Sequence, residues 1–307
     1  MKNIIERLTL LLIIISAVFW QSCNNENHKS SQQQFEFTDE DYEAGQTDSP
    51  IFHGVRLLSQ HRGFKVPESA AVDSRNNYIY VSNINGEPDE KNGIGYVTRV
   101  MLSGEIIDTL NIQGLNAPKG MALSGNLLYI ADIDRVVVFD TDIQQVVKFF
   151  EPQGAEFLND ISIDAENNIY ISDSKAGRVF KIAAGNIETY IADSLCINAN
   201  GLCRSDACLA LGAGDKILIV NPLNATKKVF AILDFTPDGL KYHNDTTFIV
   251  SDFVGNIFAV TPKRCTKLVS AREGVNAADF EYLPEQNILI VPTFFNNTID
   301  IYEIGLD

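Results

Sequence analysis

The segment Pro67-Glu68-Ser69-Ala70 recurs along the chain in degenerate form. The copies are Pro118-Lys119-Gly120-Met121, Leu158-Asn159-Asp160-Ile161, Ala199-Asn200-Gly201-Leu202, Pro237-Asp238-Gly239-Leu240 and Ala277-Ala278-Asp279-Phe280. Counted on the second residue of each copy, the anchor, the spacings are 51, 40, 41, 38 and 40 residues. A fixed period near 40 residues marks an array of supersecondary units that bury their apolar faces against one another. The long first interval contains 85–95, rich in Gly, Asn, Asp and Pro, which reads as a loop insertion.

A second strand echoes the first. Tyr80-Val81-Ser82-Asn83, Tyr129-Ile130-Ala131-Asp132, Tyr170-Ile171-Ser172-Asp173 and Ile249-Val250-Ser251-Asp252 each end about 14 residues after their anchor, with Leu211-Gly212-Ala213 and Val291-Pro292-Thr293 in the other two copies. Turn residues separate the two strands, as in Asp73 to Asn77, Ser124-Gly125-Asn126 and Asp164 to Asn168. Third and fourth strands follow, for example Arg178 to Ile182 and Ile187 to Ile191. The pattern predicts an all-β, six-bladed β-propeller of four-stranded antiparallel blades over residues 51–307. The last unit offers only three strands, so His53 to Leu58 is expected to supply its fourth and close the ring.

Within the first strands, residues two and four after the anchor are mostly bulky, as in Met121 and Leu123 or Phe280 and Tyr282. The intervening positions are mostly small: Ser69, Ala71, Gly120, Ala122, Gly201, Cys203 and Gly239. Alternation places the two sets on opposite faces of a blade, which suits blades that nest around an axis. Lys241 and Glu281 break this pattern.

Outside the repeats, Lys2 and Arg7 precede the apolar run Leu8 to Trp20, whose 13 residues suit a signal-peptide core and fall short of a membrane span. Residues 1–22 read as a cleaved leader. Trp20-Gln21-Ser22-Cys23 resembles a bacterial lipobox, with Trp20 where Leu is usual, and the resemblance implies acylation of Cys23. The expected localisation is an exported lipoprotein of the bacterial cell envelope, facing the periplasm or the exterior. Residues 23–50 are polar and acidic, with too few apolar side chains to offset ordering, and read as a flexible tether. Lys plus Arg number 24 against 40 Asp plus Glu, an excess that repels a phosphate backbone and sets nucleic acid aside as a partner. Four cysteines follow Cys23. Cys203 and Cys208 flank a short polar segment and form either a cross-hairpin disulfide or a pair of buried free thiols.

In a propeller the innermost strands line the central channel, so Glu68, Lys119, Asn159, Asn200, Asp238 and Ala278 converge at one mouth. This set resembles the gluconolactonase and senescence marker protein family of six-bladed propellers. The family places a Glu from the first blade, an Asn from an Asn-Gly pair and an Asp from Pro-Asp-Gly around one divalent cation. The resemblance therefore implies that Glu68, Asn200 and Asp238 bind Ca²⁺, Mg²⁺ or Mn²⁺, a hard oxygen site, and that Asn159 touches substrate or ordered water. It also implies hydrolysis of lactones or related sugar-acid esters. The cation would polarise the carbonyl, and Asp238 or a water on the cation would supply the attack. Lys119 at the same mouth either binds an anionic substrate group or neutralises Glu68 in place of the metal. Asn and Asp also cap strand ends in any propeller.

His28, His53, His61 and His243 avoid every anchor, and no zinc motif, nucleophile elbow, phosphate loop or complete dinucleotide fingerprint is present. Two functions fit the repeat equally: the hydrolase, acting on a small-molecule lactone or sugar acid, and a non-enzymatic envelope propeller that binds a glycan, peptide or protein. The lipobox resemblance makes a direct prediction. A Cys23→Ser chain is expected to move from the membrane to the soluble fraction on cell fractionation, and its retention in the membrane would refute acylation at this residue.

Overall fold

The structure is a computed structural model that describes residues 52–205 and 208–306. The leader 1–22, Cys23 and the tether 23–50 lie outside the described residues. The β-branched and aromatic runs of each repeat form a four-stranded antiparallel sheet, and six such sheets make the propeller. In the third blade, Leu158–Ile163, Ile169–Asp173, Arg178–Ala183 and Asn186–Ala192 pair in sequence order. Its first turn works as its residues suggest: Asp164 accepts from the Asn168 amide at 2.8 Å, and Asn167 takes the left-handed φ of 61° that Asn tolerates.

The sixth blade takes its outermost strand from the other end of the chain, Phe52–Arg62 against Thr298–Leu306. The pairing runs from Phe52 opposite Leu306 to Arg62 opposite Thr298, and Gln60 donates to Asp300 at 2.8 Å. This closing strand is longer than the expected His53 to Leu58. The 85–95 segment is the expected insertion, joining Tyr78–Asn83 to Tyr96–Met101.

Nesting of blades explains the small residues. A Cβ on Gly120 would sit 2.6 Å from the Asn159 carbonyl oxygen and from the Asp160 Cα; one on Gly201 would sit 2.4 Å from the Asp238 carbonyl oxygen. Each of these glycines is where the next blade's anchor presses in. The bulky set fills the opposite face, as where Met121 packs with Ala71, Tyr80, Val97 and Leu128.

Five blades carry a β-bulge at the anchor. Pro67 pairs with Asn83 and Ala70 with Val81, so Glu68 and Ser69 together oppose Ser82; the same shift occurs at Pro118/Met121, Leu158/Ile161, Ala199/Leu202 and Pro237/Leu240. A bulge re-aims a side chain and leaves a backbone group unpaired. The serine near the end of the second strand satisfies it: Ser82, Ser172 and Ser251 accept from the amides of Ser69, Asp160 and Gly239 at 2.8 to 2.9 Å. The terminal acid then pins the loop leading into the anchor. Asp132 accepts from Asn116 and Ala117, and buried Asp173 accepts from Glu156, Phe157 and Ala176 at 2.8, 3.0 and 2.9 Å.

The hairpin does not oppose Cys203 and Cys208. Cys203 faces Ala210 across the strand pair, and both cysteines are free thiols in one apolar cluster, with burial pushing Cys203 up to about 12. Asp173→Ala strips three part-buried amides of a charged acceptor, and such bonds contribute about 1.5–3 kcal/mol each. The variant is expected to lose about 3 kcal/mol or more of unfolding free energy in urea, with Asp173→Asn recovering part of it.

Candidate functional site

The bulges turn the anchors into the channel, and the geometry there begins with Glu68. Its side chain sits in a residue only 6% exposed, and its Oε2 has no hydrogen-bonding partner among the described residues. Burial holds this carboxyl well above its ordinary range; Asp238 and Asp279 push it further and Lys119 opposes them. Asp238 acts on Glu68 from two blades away, with the apolar anchor Ala278 of blade six between them. Asn200 donates from Nδ2 to Asp238 Oδ1 at 2.6 Å, and both residues keep partial solvent contact although protein surrounds the Asp238 carboxyl. Burial, then Asp279, raises Asp238 to about 7 against the pull of the Asn200 bond. Asn159 donates to Ser174 Oγ at 3.0 Å, and Ser174 in turn donates to the Ala199 carbonyl at 2.6 Å.

Lys119 is placed differently from Glu68. Its ammonium donates to the carbonyls of Pro88 at 2.7 Å and Ala117 at 3.0 Å and lies 4.3 Å from the centre of the Phe157 ring. Among the described residues it makes no ion-pair contact with Glu68, although the two influence each other electrostatically. Burial lowers it to about 8. Its partner Pro88 belongs to the insertion, which is fastened further by Asp89 to Lys175 at 3.2 Å and by Lys91 to Asp134.

A second tier of charge follows the anchors. Asp160 accepts from the Leu202 amide at 2.7 Å, joining blades three and four. Asp279 accepts from Ser69 Oγ at 2.7 Å, joining blades six and one. Lys241 stands 3.0 Å from Asp279 Oδ1, an ion pair that joins blades five and six. Burial would lower Lys241, yet Asp279, Asp160 and Glu281 together hold it above the usual lysine range. Glu281 itself accepts from the Tyr282 amide at 2.8 Å and is raised by burial. Lys241 and Glu281, the two residues that break the small-residue pattern, are thus charges built into the channel wall. That break was the available signal for them; for Asp160 and Asp279 it was an acid where other copies carry Ser or Gly.

The donor set at the mouth fits a hard cation. It offers two carboxylates and an amide, with one carboxylate oxygen left without a partner. Among the described residues no three His, Cys, Asp or Glu side chains converge, so a cation there would take its remaining ligands from amide, carbonyl or water oxygens. His61 and His243 bond Ser59 and Tyr282 at 2.9 Å and take no part.

No protein-family model matches the chain, and no curated protein matches it in sequence. Among solved structures it is similar to a gluconolactonase from Xanthomonas campestris, at 14% identity and a TM-score of 0.64 over 82% of this chain and 89% of that one. It is also similar to a chain of the nidogen/laminin complex, at 20% identity and a TM-score of 0.56 over 67% and 79%. At these identities the likeness establishes the propeller fold.

Removing the ammonium of the second tier has a predictable outcome. Lys241→Met leaves Asp160, Asp279 and Glu281 without their cation, and breaking a buried pair costs about 3–5 kcal/mol. Asp160 and Glu281, already raised by burial, then lose the cation that opposes that rise, so their folded pKa values lie further above the unfolded ones and stability is present at low pH and lost as pH rises through the folded values. The variant is expected to melt closer to the parent at pH 5 than at pH 8; an equal deficit at both would refute the charge role.

Proposed function

We propose that this protein is a cation-dependent hydrolase of lactones or related sugar-acid esters, held at the bacterial envelope by acylated Cys23. The observation that carries this reading is the buried, partnerless Oε2 of Glu68 beside Asp238 and Asn200. A buried carboxylate oxygen without a donor is costly, and a bound cation removes that cost. The ion pair between Lys119 and Glu68 that could stand in for a cation is not formed, which favours the hydrolase over the pure binding module.

Ca²⁺, Mg²⁺ or Mn²⁺ at Glu68, Asn200 and Asp238 would supply polarisation of the substrate carbonyl. With a cation bound Asp238 would be ionised, and its carboxylate, held by Asn200, would be the group placed to take a proton from water. Water oxygen bonds to the carbonyl carbon, the ring C–O bond breaks, and the proton passes to the departing oxygen as the hydroxy acid forms. Asn200 orients the Asp238 carboxylate, and Asn159, held by Ser174, presents an amide to substrate. Lys119 spends two donors on Pro88 and Ala117, lies over the Phe157 ring and is buried, so its part in the site is to hold the insertion beside the anchors.

Binding of the cation displaces protons from Glu68 and Asp238, both raised, so affinity is expected to climb as pH rises through about 7 and to fall below it. Calorimetric titration with Ca²⁺, Mg²⁺ and Mn²⁺ checks this. Asp238→Asn keeps the size and one oxygen ligand while removing charge and base, and is expected to lose cation binding and aldonolactone hydrolysis with an unchanged fold. A parent chain that takes up none of the three cations and hydrolyses no lactone would transfer the assignment to the binding module.

A further inference from the structure

The residue after the end of the second strand occupies equivalent places in all six blades: Ile84, Ile133, Ser174, Gly214, Phe253 and Phe294. These positions make a collar above the anchors, as the Ser174 to Asn159 bond shows in blade three. The collar is lopsided. Ile84, Ile133 and Phe294 are buried in one apolar cluster with Ala117 and Ala278, against which Val66 packs, so the side of blades six, one and two is closed over Glu68 and Lys119. Across from it, Ser174 and Gly214 are small, and Asn200 and Asp238 keep partial solvent contact. A substrate therefore reaches the polar anchors from the side of blades three to five.

Phe253 borders that opening, because Asp252 before it pairs with Pro237 before Asp238. Its ring is 5.3 Å from that of Phe294 and 6.0 Å from that of Phe295 in edge-on packing. Phe253 is 44% exposed, Val254 65% and Phe295 61%. The sixth anchor, Ala278, joins the apolar cluster and adds no polar group. The mouth thus has a polar half at Glu68, Asn159, Asn200 and Asp238 and an apolar, aromatic wall continuous with it. A polyol needs a partner for each hydroxyl it buries, and this wall supplies none; an alkyl or aryl chain needs only area.

Resting on the hydrolase reading, we propose that the substrate is a lactone or ester with an apolar acyl or aryl substituent, its carbonyl at the polar anchors and its chain along Phe253, Val254 and Phe295. The test uses the full Cys23→Ser chain with its anchors intact, so that neither lipid nor detergent competes, and each lactone is offered as its lactam to prevent turnover. Calorimetric titration with alkyl γ-lactones of increasing chain length is expected to show affinity rising about threefold per methylene. Phe253→Ser with Phe295→Ser, both exposed positions, should flatten that rise while the shortest lactone binds as before and circular dichroism is unchanged. Affinity indifferent to chain length, or a preference for gluconolactone, overturns the proposal. So does loss of binding to phosphatidylcholine vesicles in the double variant with the chain-length dependence intact, which would assign the phenylalanines to a bilayer. Cation uptake by the Cys23→Ser chain is measured separately: its absence beside an intact chain-length dependence would remove the hydrolase reading and leave the apolar wall standing.

Discussion

A bulge at the head of an innermost strand leaves a buried amide that the sheet ladder cannot satisfy, and a buried amide must be bonded to something. Here the second strand supplies the acceptors. Ser82, Ser172 and Ser251 take the amide of the residue after the anchor, while Asp132, Asp173 and Asp252 take amides of the adjoining loops. The anchor is thereby held out of the pleat and directed into the channel. Without this latch Glu68, Asn159 and Asp238 would alternate with their neighbours and point between blades. The sixth blade shows the dependence from the other side: its inner strand begins only at Glu281, beyond its anchor Ala278, and that anchor is apolar.

Aiming anchors inward concentrates charge. Glu68, Asp160, Asp238, Asp279 and Glu281 share the channel with only Lys119 and Lys241. Lys241 answers part of the excess by contact with Asp279. Lys119 is drawn away by the carbonyls of Pro88 and Ala117 and acts on Glu68 only at a distance. The surplus appears as carboxyls that hold protons near neutrality: Asp160, raised mainly by burial, and Asp238 both lie at about 7, and Glu68 is raised well above its ordinary value. On the proposed reading, a divalent ion taken up there would replace these protons and answer two carboxylates at once.

The fold was legible because propeller packing leaves a period in the sequence. Glycines at 120 and 201 are forced by the approach of the next blade, and the Ser-Asp endings of the second strands in blades three and five serve the bulge, so both stand at equivalent places of the repeat. Anchor positions were legible for the same reason. The direction a side chain takes once there was not: the spacing put Lys119 beside Glu68, while its ammonium is claimed by a carbonyl of the insertion, which has no repeat and carries no period. Lys241 and Glu281 showed in the sequence only as irregularities, because this charge pairing between blades five and six is made by single residues that the other copies do not repeat. The cysteine pair failed on register, since the hairpin sets Cys203 opposite Ala210.

Symmetry itself limits what such a ring can do. Six identical blades would give six identical anchors, a binding site for something six-fold or for nothing larger than an ion on the axis. A one-sided molecule needs the copies to diverge where they meet the mouth and to stay alike where they pack. That division is visible here: the latches and nesting glycines follow the repeat, while the anchors run Glu, Lys, Asn, Asn, Asp, Ala and the collar runs Ile, Ile, Ser, Gly, Phe, Phe. The small collar residues of blades three and four adjoin Asn159 and Asn200, so the gap they leave opens onto amide groups. The insertion within the first blade bonds Lys119 and reaches Asp134 on blade two and Lys175 at the edge of blade three. The same residues that shut one side of the channel therefore give the other side its orientation.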